Sequence, residues 1–188
     1  MKDPVQPAKD VVIKVSDVAQ VEMEKAAKIF VEKNPGMHVV GLRYFNVYGP
    51  LEFHKEKAAS MIYQLYQQIS SGRAPRVFKW GEQFRDFVYV KDVVQANLKA
   101  FETKISNEHV AVNVGTGLRT SFNQVIAILN KILGAKKPTD YFDNPYDFYQ
   151  EATQADPTLA RTVIGFEAAY PPERGIPDYV EFLTKFVQ

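Results

Sequence analysis

Short runs of β-branched and aromatic residues alternate along this chain with stretches of helical periodicity, and that alternation sets the architecture. Strand-like runs fall at residues 11–15, 37–43, 76–79, 87–90 and 111–114. The run at 37–43 (MHVVGLR) is apolar enough for a strand buried on both faces. Between the runs, apolar residues recur every three or four positions. Ala19, Met23, Ala26, Ala27 and Phe30 make one face of a helix from about 18 to 33, which Asn34-Pro35-Gly36 stops. Ala59, Ile62, Tyr66 and Ile69 do the same within 56–71. Asp92 reads as the N-cap of a helix to residue 102, and Ser121 as the N-cap of one lasting to residue 133, ahead of Gly134. Asp156-Pro157 opens another helix, and 177–187 forms a last one with Val180, Leu183 and Val187 inward. Residues 141–154 are tyrosine-rich and irregular. Alternating strands and helices predict an α/β fold with parallel strands.

At 188 residues the chain is of single-domain size, with no internal repeat and no clear linker. Lys plus Arg is 23 and Asp plus Glu is 22, a net charge of +1 that gives no field to draw in nucleic acid or an anionic membrane. The absence of cysteine excludes disulfides, thiolate metal sites and a cysteine nucleophile. His38, His54 and His109 are too scattered for a metal cluster. No apolar run is long enough to span a membrane. The N-terminus, MKDPVQPAKD, has two acids, two prolines and no apolar core, so it does not read as a secretory signal. The compartment stays open, bacterial cytoplasm and an organelle alike.

Three segments are candidates for a site, each with a plain structural alternative. Arg43 to Pro50 (RYFNVYGP) leaves the end of a strand as an aromatic loop, where ligands of open α/β sheets bind. Asn46 offers donor and acceptor there and the aromatics offer flat faces; the alternative is a packed turn in which Asn46 satisfies its own backbone. Lys55, after the Gly-Pro turn, can neutralise a phosphate or exchange a proton, or is a solvated lysine. Arg85, leading into the strand of RDFVYVKD, suits bidentate phosphate binding, or pairs with Asp86 or Asp92. Gly115-Thr116-Gly117 follows a strand but lacks the third glycine of a dinucleotide loop, Thr120 standing at that place, and reads as a tight strand-to-helix turn.

In order and spacing, RYFNVYGP, the His54-Lys55 pair, RDFVYVKDV and VNVGTG resemble one family. They look like the C-terminal half of extended short-chain dehydrogenase/reductases that act on nucleotide sugars. The stretches YFNVYGPLEFHKEKAASM and FYQEATQAD are most similar to the ADP-heptose 6-epimerase branch of that group. The resemblance runs from about residue 17 to residue 188. It implies a truncated Rossmann-like parallel sheet plus the small substrate-binding α/β part, with residues 1–16 a divergent segment that holds one strand. It further implies that Asn46 contacts the nucleotide sugar, that Val47 lies against the nicotinamide cofactor, and that Lys55 is a second acid/base beside it. Phe78 would open the strand whose end lies along the ADP, Arg85 would grip the diphosphate, and Tyr149 would close over the substrate. Lys57 and Gln64 replace residue types that contact substrate in the family.

Two family features are missing from the sequence. No glycine-rich G-x-x-G-x-x-G loop is present to hold the pyrophosphate of NAD or NADP, the cofactor the family implies. The family's Tyr-x-x-x-Lys pair is also missing. Ungapped counting puts Asp17 and Val21 there, and none of the ten tyrosines has a lysine four residues on. The expectation is therefore a chain that holds no cofactor and turns nothing over alone, with ADP-sugar binding retained. The alternative is a non-catalytic subunit of a larger assembly. In either case the strand at 37–43 lacks its usual neighbours, and a protein partner or self-association is expected to cover it.

Overall fold

The structure is a computed structural model that describes residues 15–78, 80–105, 109–144 and 150–186, with side chains from residue 19 onward. Its contacts divide the chain into two compact units, Met1–Gly41 with Lys104–Ala111, and Leu42–Thr103 with Val112–Gln188.

The first unit is built on helix α1, Val15–Lys33. Val15, expected to end a strand, begins this helix instead; the rest of that strand lies outside the described residues. The apolar face of α1 is not buried as its periodicity suggests. Ala19, Met23, Ala26 and Phe30 are exposed, as are Val21 and Ile29, and Val31 is its one buried apolar side chain among the described residues. Asn34 closes the helix as expected, donating from Nδ2 to Phe30 O at 2.7 Å. Strand β1, Val39–Tyr44, pairs with β6, His109–Val114.

In the second unit β2 (Asn46–Tyr48) lies parallel to β5 (Phe87–Tyr89), with Asn46 opposite Phe87 and Tyr48 opposite Tyr89. The RYFNVYGP segment is therefore partly strand rather than loop. β3 (Arg76–Phe78) runs parallel to β8 (Asp140–Phe142), and β4 (Phe84–Arg85) antiparallel to β7 (Thr120–Ser121). Helices α2 (Met61–Ser70), α4 (Phe122–Leu133) and α6 (Pro172–Phe186) enclose a core of Leu65, Ile69, Val125, Leu129, Ile176 and Leu183. Each such side chain contributes about 1.5–3 kcal/mol by leaving water.

Several boundaries shift for local reasons. The helix expected over 56–71 is a 3-10 segment, Glu52–Ala58, followed by α2. Glu56 breaks the run at φ 49° and ψ −117°, and Ser60 caps α2 by accepting from Tyr63 N at 3.2 Å. Helix α3 (Val90–Glu102) starts before Asp92, whose carboxylate bonds Ala169 N and Tyr170 N rather than its own helix. The last helix begins at Pro172, not Pro177. Proline is tolerated at its first position, and Pro177 is carried inside at the cost of one backbone bond. Helix α5 is Thr158–Ile164; Asp156 Oδ1 caps it from Thr158 N at 2.9 Å, one residue before the geometric cap. Ser121, Gln124 and Gly134 bound α4 as predicted, with a complete capping box and a left-handed C-cap.

Candidate functional site

The second unit holds a cavity of about 680 Å3, and five of the residues singled out in the sequence line it: Asn46, Val47, Lys55, Phe78 and Arg85. Lys57 and Gln64 also face it. Tyr149 lies outside the described residues. Phe78 closes β3 rather than opening a strand, so its ring stands at the strand's C-terminal end, edge-on to Phe142 at 4.9 Å. The segment carrying Lys55 is pinned by Glu52, a buried carboxylate that accepts from Ser60 N at 2.7 Å and Ser60 Oγ at 2.8 Å. Lys55 itself is exposed on this segment.

Arg85 is anchored on the backbone. It donates to Phe84 O at 2.9 Å and to Gln150 O, and stacks over Phe122 at 5.7 Å. The Arg–Asp pair left open by the sequence does not form, because both carboxylates are engaged elsewhere. Asp86, fully buried, accepts from Thr116 N (2.8 Å), Thr116 Oγ1 (2.7 Å), Gly117 N (2.8 Å) and Ala155 N (3.0 Å). Asn46 likewise does not serve its own turn. Its Nδ2 donates to Asp86 O at 3.2 Å and to Thr153 Oγ1 at 2.8 Å.

The Gly115-Thr116-Gly117 turn is therefore filled by the chain's own carboxylate. A Cβ at 115 would sit 2.9 Å from Asp86 Oδ2, and Gly117 holds φ +77°. These amides are not available to the pyrophosphate of a dinucleotide. A second recess, of about 200 Å3 and lined by Val47, Tyr48, Leu51, His54 and Lys55 among others, is too small for a whole dinucleotide.

Charge in the cavity is positive on balance. Lys55, Lys57, Arg76 and Arg85 face Glu52, which is already saturated by Ser60. Arg76 stacks on Phe142 at 4.7 Å and pairs with Asp140 at 2.6 Å. Arg76, Phe122, Phe142 and Thr153 escaped the sequence reading, since only the folded chain brings them beside Phe78 and Asn46. The aromatics of RYFNVYGP divide between the two readings, with Tyr44 exposed and Tyr48 buried. Tyr48 is 1% exposed and packs in the core, where burial raises its hydroxyl pKa far above the usual tyrosine range. Among the described residues no group of three or more acids and histidines is placed to hold a metal, and no helix is long and apolar enough to cross a membrane.

Known proteins resemble this chain in sequence and fold. Residues 17–115 match the NAD dependent epimerase/dehydratase family. The ADP-L-glycero-D-manno-heptose-6-epimerase of Brachyspira hyodysenteriae is 36% identical over 163 residues, covering 84% of this chain and 50% of that protein. The crystal structure of the Helicobacter pylori ADP-L-glycero-D-manno-heptose-6-epimerase superposes with a TM-score of 0.81 at 37% identity, over 98% of this chain and 56% of that one. UDP-glucose 4-epimerase of Thermotoga maritima, solved with UDP-glucose, gives 0.80 at 31% identity, over 92% and 54%. The chain spans about half the length of these relatives. With more than half of its residues matched and its α/β arrangement shared, the chain belongs to the NAD dependent epimerase/dehydratase family.

Proposed function

We propose that the cavity of the second unit binds a nucleotide sugar of the ADP type, and that this chain alone neither isomerises it nor retains NAD or NADP. One observation carries the reading. Asn46, Val47, Lys55, Phe78 and Arg85 come from four separate segments and converge on one cavity of about 680 Å3, within the range that buries a ligand of nucleotide-sugar size. Its cations suit a diphosphate, and Arg85, fixed by two carbonyls, presents a guanidinium in a set orientation. Lys55 occupies the family's acid/base position. With no Tyr-x-x-x-Lys pair in these 188 residues, it has no proton-transfer partner of that kind. In this reading residues 17–188 form the sugar-side half of the fold and 1–16 a divergent segment.

The exposed side chains of α1, among them Met23 at 65% and Ile29 at 50%, favour a second reading in which the fold serves as a non-catalytic subunit. Both readings bring a protein partner, or a second copy, onto α1.

Titration calorimetry with ADP-glucose tests the first. Saturable binding by the wild type is expected, with Arg85→Ala weaker by about 1.5–3 kcal/mol, roughly ten- to a hundredfold. Equal affinities would remove Arg85 from the site. No binding at millimolar ligand would favour the subunit reading, and nicotinamide absorbance travelling with the purified chain would overturn the claim about the cofactor.

A further inference from the structure

The structure assigns Asp86 a role that nothing in its sequence position announces: we propose that it is the positioning residue of the cavity, setting Arg85 and Asn46 in place without touching the ligand. The inference rests on the nucleotide-sugar reading for its ligand, but its geometry stands apart from it. Asp86 is the single residue that joins β4 to β5. Arg85 and Phe87 both line the cavity, and Asp86 between them does not. Its carboxylate instead enters the turn at 115–117, where two backbone amides and one hydroxyl donate to it, with Ala155 N as a third amide from a separate segment. Anchoring the residue that joins the two strands fixes the neighbour on either side of it.

The backbone of Asp86 extends the same control. Its carbonyl accepts from Asn46 N at 3.0 Å and from Asn46 Nδ2, while its N–H donates to Thr153 Oγ1 at 3.2 Å. Thr153 Oγ1 also accepts from Asn46 Nδ2, so one hydroxyl ties the Asn46 carboxamide to Asp86. The carboxylate further holds Ala155, which keeps the 150–155 segment alongside Phe84: Phe84 N donates to Glu151 O at 3.1 Å and Thr153 N to Phe84 O at 3.2 Å. Gln150 O, the acceptor of Arg85, belongs to that segment. The sequence alone reads the paired glycines as a tight strand-to-helix turn. In the fold they make room for an aspartate supplied by the chain itself.

Asp86→Asn discriminates this from a charge effect by sign. The substitution keeps the volume, removes one negative charge, and sets an NH2 against backbone donors. If Asp86 acted only by its charge, an anionic ligand would bind more tightly once that charge were gone. Positioning predicts the opposite, about tenfold weaker binding of ADP-glucose in a protein that still folds. Thr153→Val, which keeps the shape and removes the hydroxyl bridge, should weaken binding in the same direction, and Thr153→Ser should recover most of the loss.

Amide hydrogen exchange without ligand supplies the readout that survives failure of the nucleotide-sugar reading. In Asp86→Asn, protection should fall at Asn46 and at Thr153 as well as at Thr116, Gly117 and Ala155, while α2 and α4 stay protected. If wild type binds no ADP-glucose but exchange rises at Asn46 and Thr153, the positioning role holds and the ligand assignment fails. Exchange confined to 116–117 and 155, or tighter ADP-glucose binding in Asp86→Asn, would overturn the proposal.

Discussion

A methyl group added at Gly175 has one place to go, and the Tyr48 hydroxyl already occupies it. A Cβ there would lie 2.1 Å from Tyr48 Oη, 3.2 Å from Tyr48 Cζ and 3.3 Å from Tyr89 Cβ. Tyr48 is wedged between Tyr89 and Tyr179, with ring centroids 5.1 and 6.2 Å away, and cannot swing aside. Glycine to alanine within a helix ordinarily gains about 1 kcal/mol, whereas overpacking a closed core costs about 1–3 kcal/mol or more. Gly175→Ala is therefore expected to lose a net of about 1–2 kcal/mol. Tyr48 Oη has no hydrogen-bond partner among the described residues, so Tyr48→Phe removes a buried unpaired hydroxyl and is expected to be neutral or to gain up to about 1 kcal/mol. In the double variant the atom at 2.1 Å is gone and the next contacts are at 3.2 and 3.3 Å, which a methyl tolerates with a small adjustment. The helix gain then returns, and the two changes should couple favourably by about 1.5–3 kcal/mol. Urea unfolding of the four proteins, at unchanged m-value, measures this. Strict additivity would show that Tyr48 and Gly175 do not meet as described.

Two further outcomes follow from strain and charge. Glu56 sits at φ 49° and ψ −117°, a conformation suited to glycine, so Glu56→Gly should raise stability by about 0.5–2 kcal/mol despite glycine's entropy; a lower urea midpoint would refute the strain. Burial works to raise the Asp178 carboxyl pKa, yet hydrogen bonds from Lys91 and Tyr89 outweigh it and hold it below the usual carboxylate range. A lowered folded pKa stabilises above the unfolded value of about 3.9 and ceases to as pH falls through the folded value. Asp178→Asn should therefore cost at most about 1 kcal/mol at neutral pH, the Lys91 pair being part exposed, and the deficit should vanish on acidification below that range. A deficit that persisted in acid would assign it to packing.

What the sequence disclosed depended on how local each signal is. Ser121, Gln124 and Gly134 bound α4 through contacts within one turn, and they were legible. The break at Glu56 was not, because the apolar spacing of Ala59, Ile62, Tyr66 and Ile69 continues the rhythm of α2 back through Ala59 to a residue whose backbone leaves it. Asp92 looked like a cap because an acid opens its helix; its real partners, Ala169 and Tyr170, lie far along the chain. The cavity divides the same way. Asn46, Lys55 and Arg85 stand in motifs that a family resemblance exposes. Arg76 and Phe142 join them in the cavity through strand pairing, and Asp86 and Thr153 hold them from outside it by hydrogen bonds across as many as 107 positions, as between Asn46 and Thr153. The helical stripe of α1 was read correctly as apolar, but periodicity does not say what covers it, and its side chains stand exposed.

The central claim is that residues of four segments form one nucleotide-sugar cavity, and a chemical-shift titration of the labelled chain with ADP-glucose tests it most directly. The account predicts saturable shifts at Asn46, Val47, Phe78 and Arg85, with the amides of α1 unmoved. Shifts absent at millimolar ligand, or gathered on α1 and away from the cavity, would contradict it.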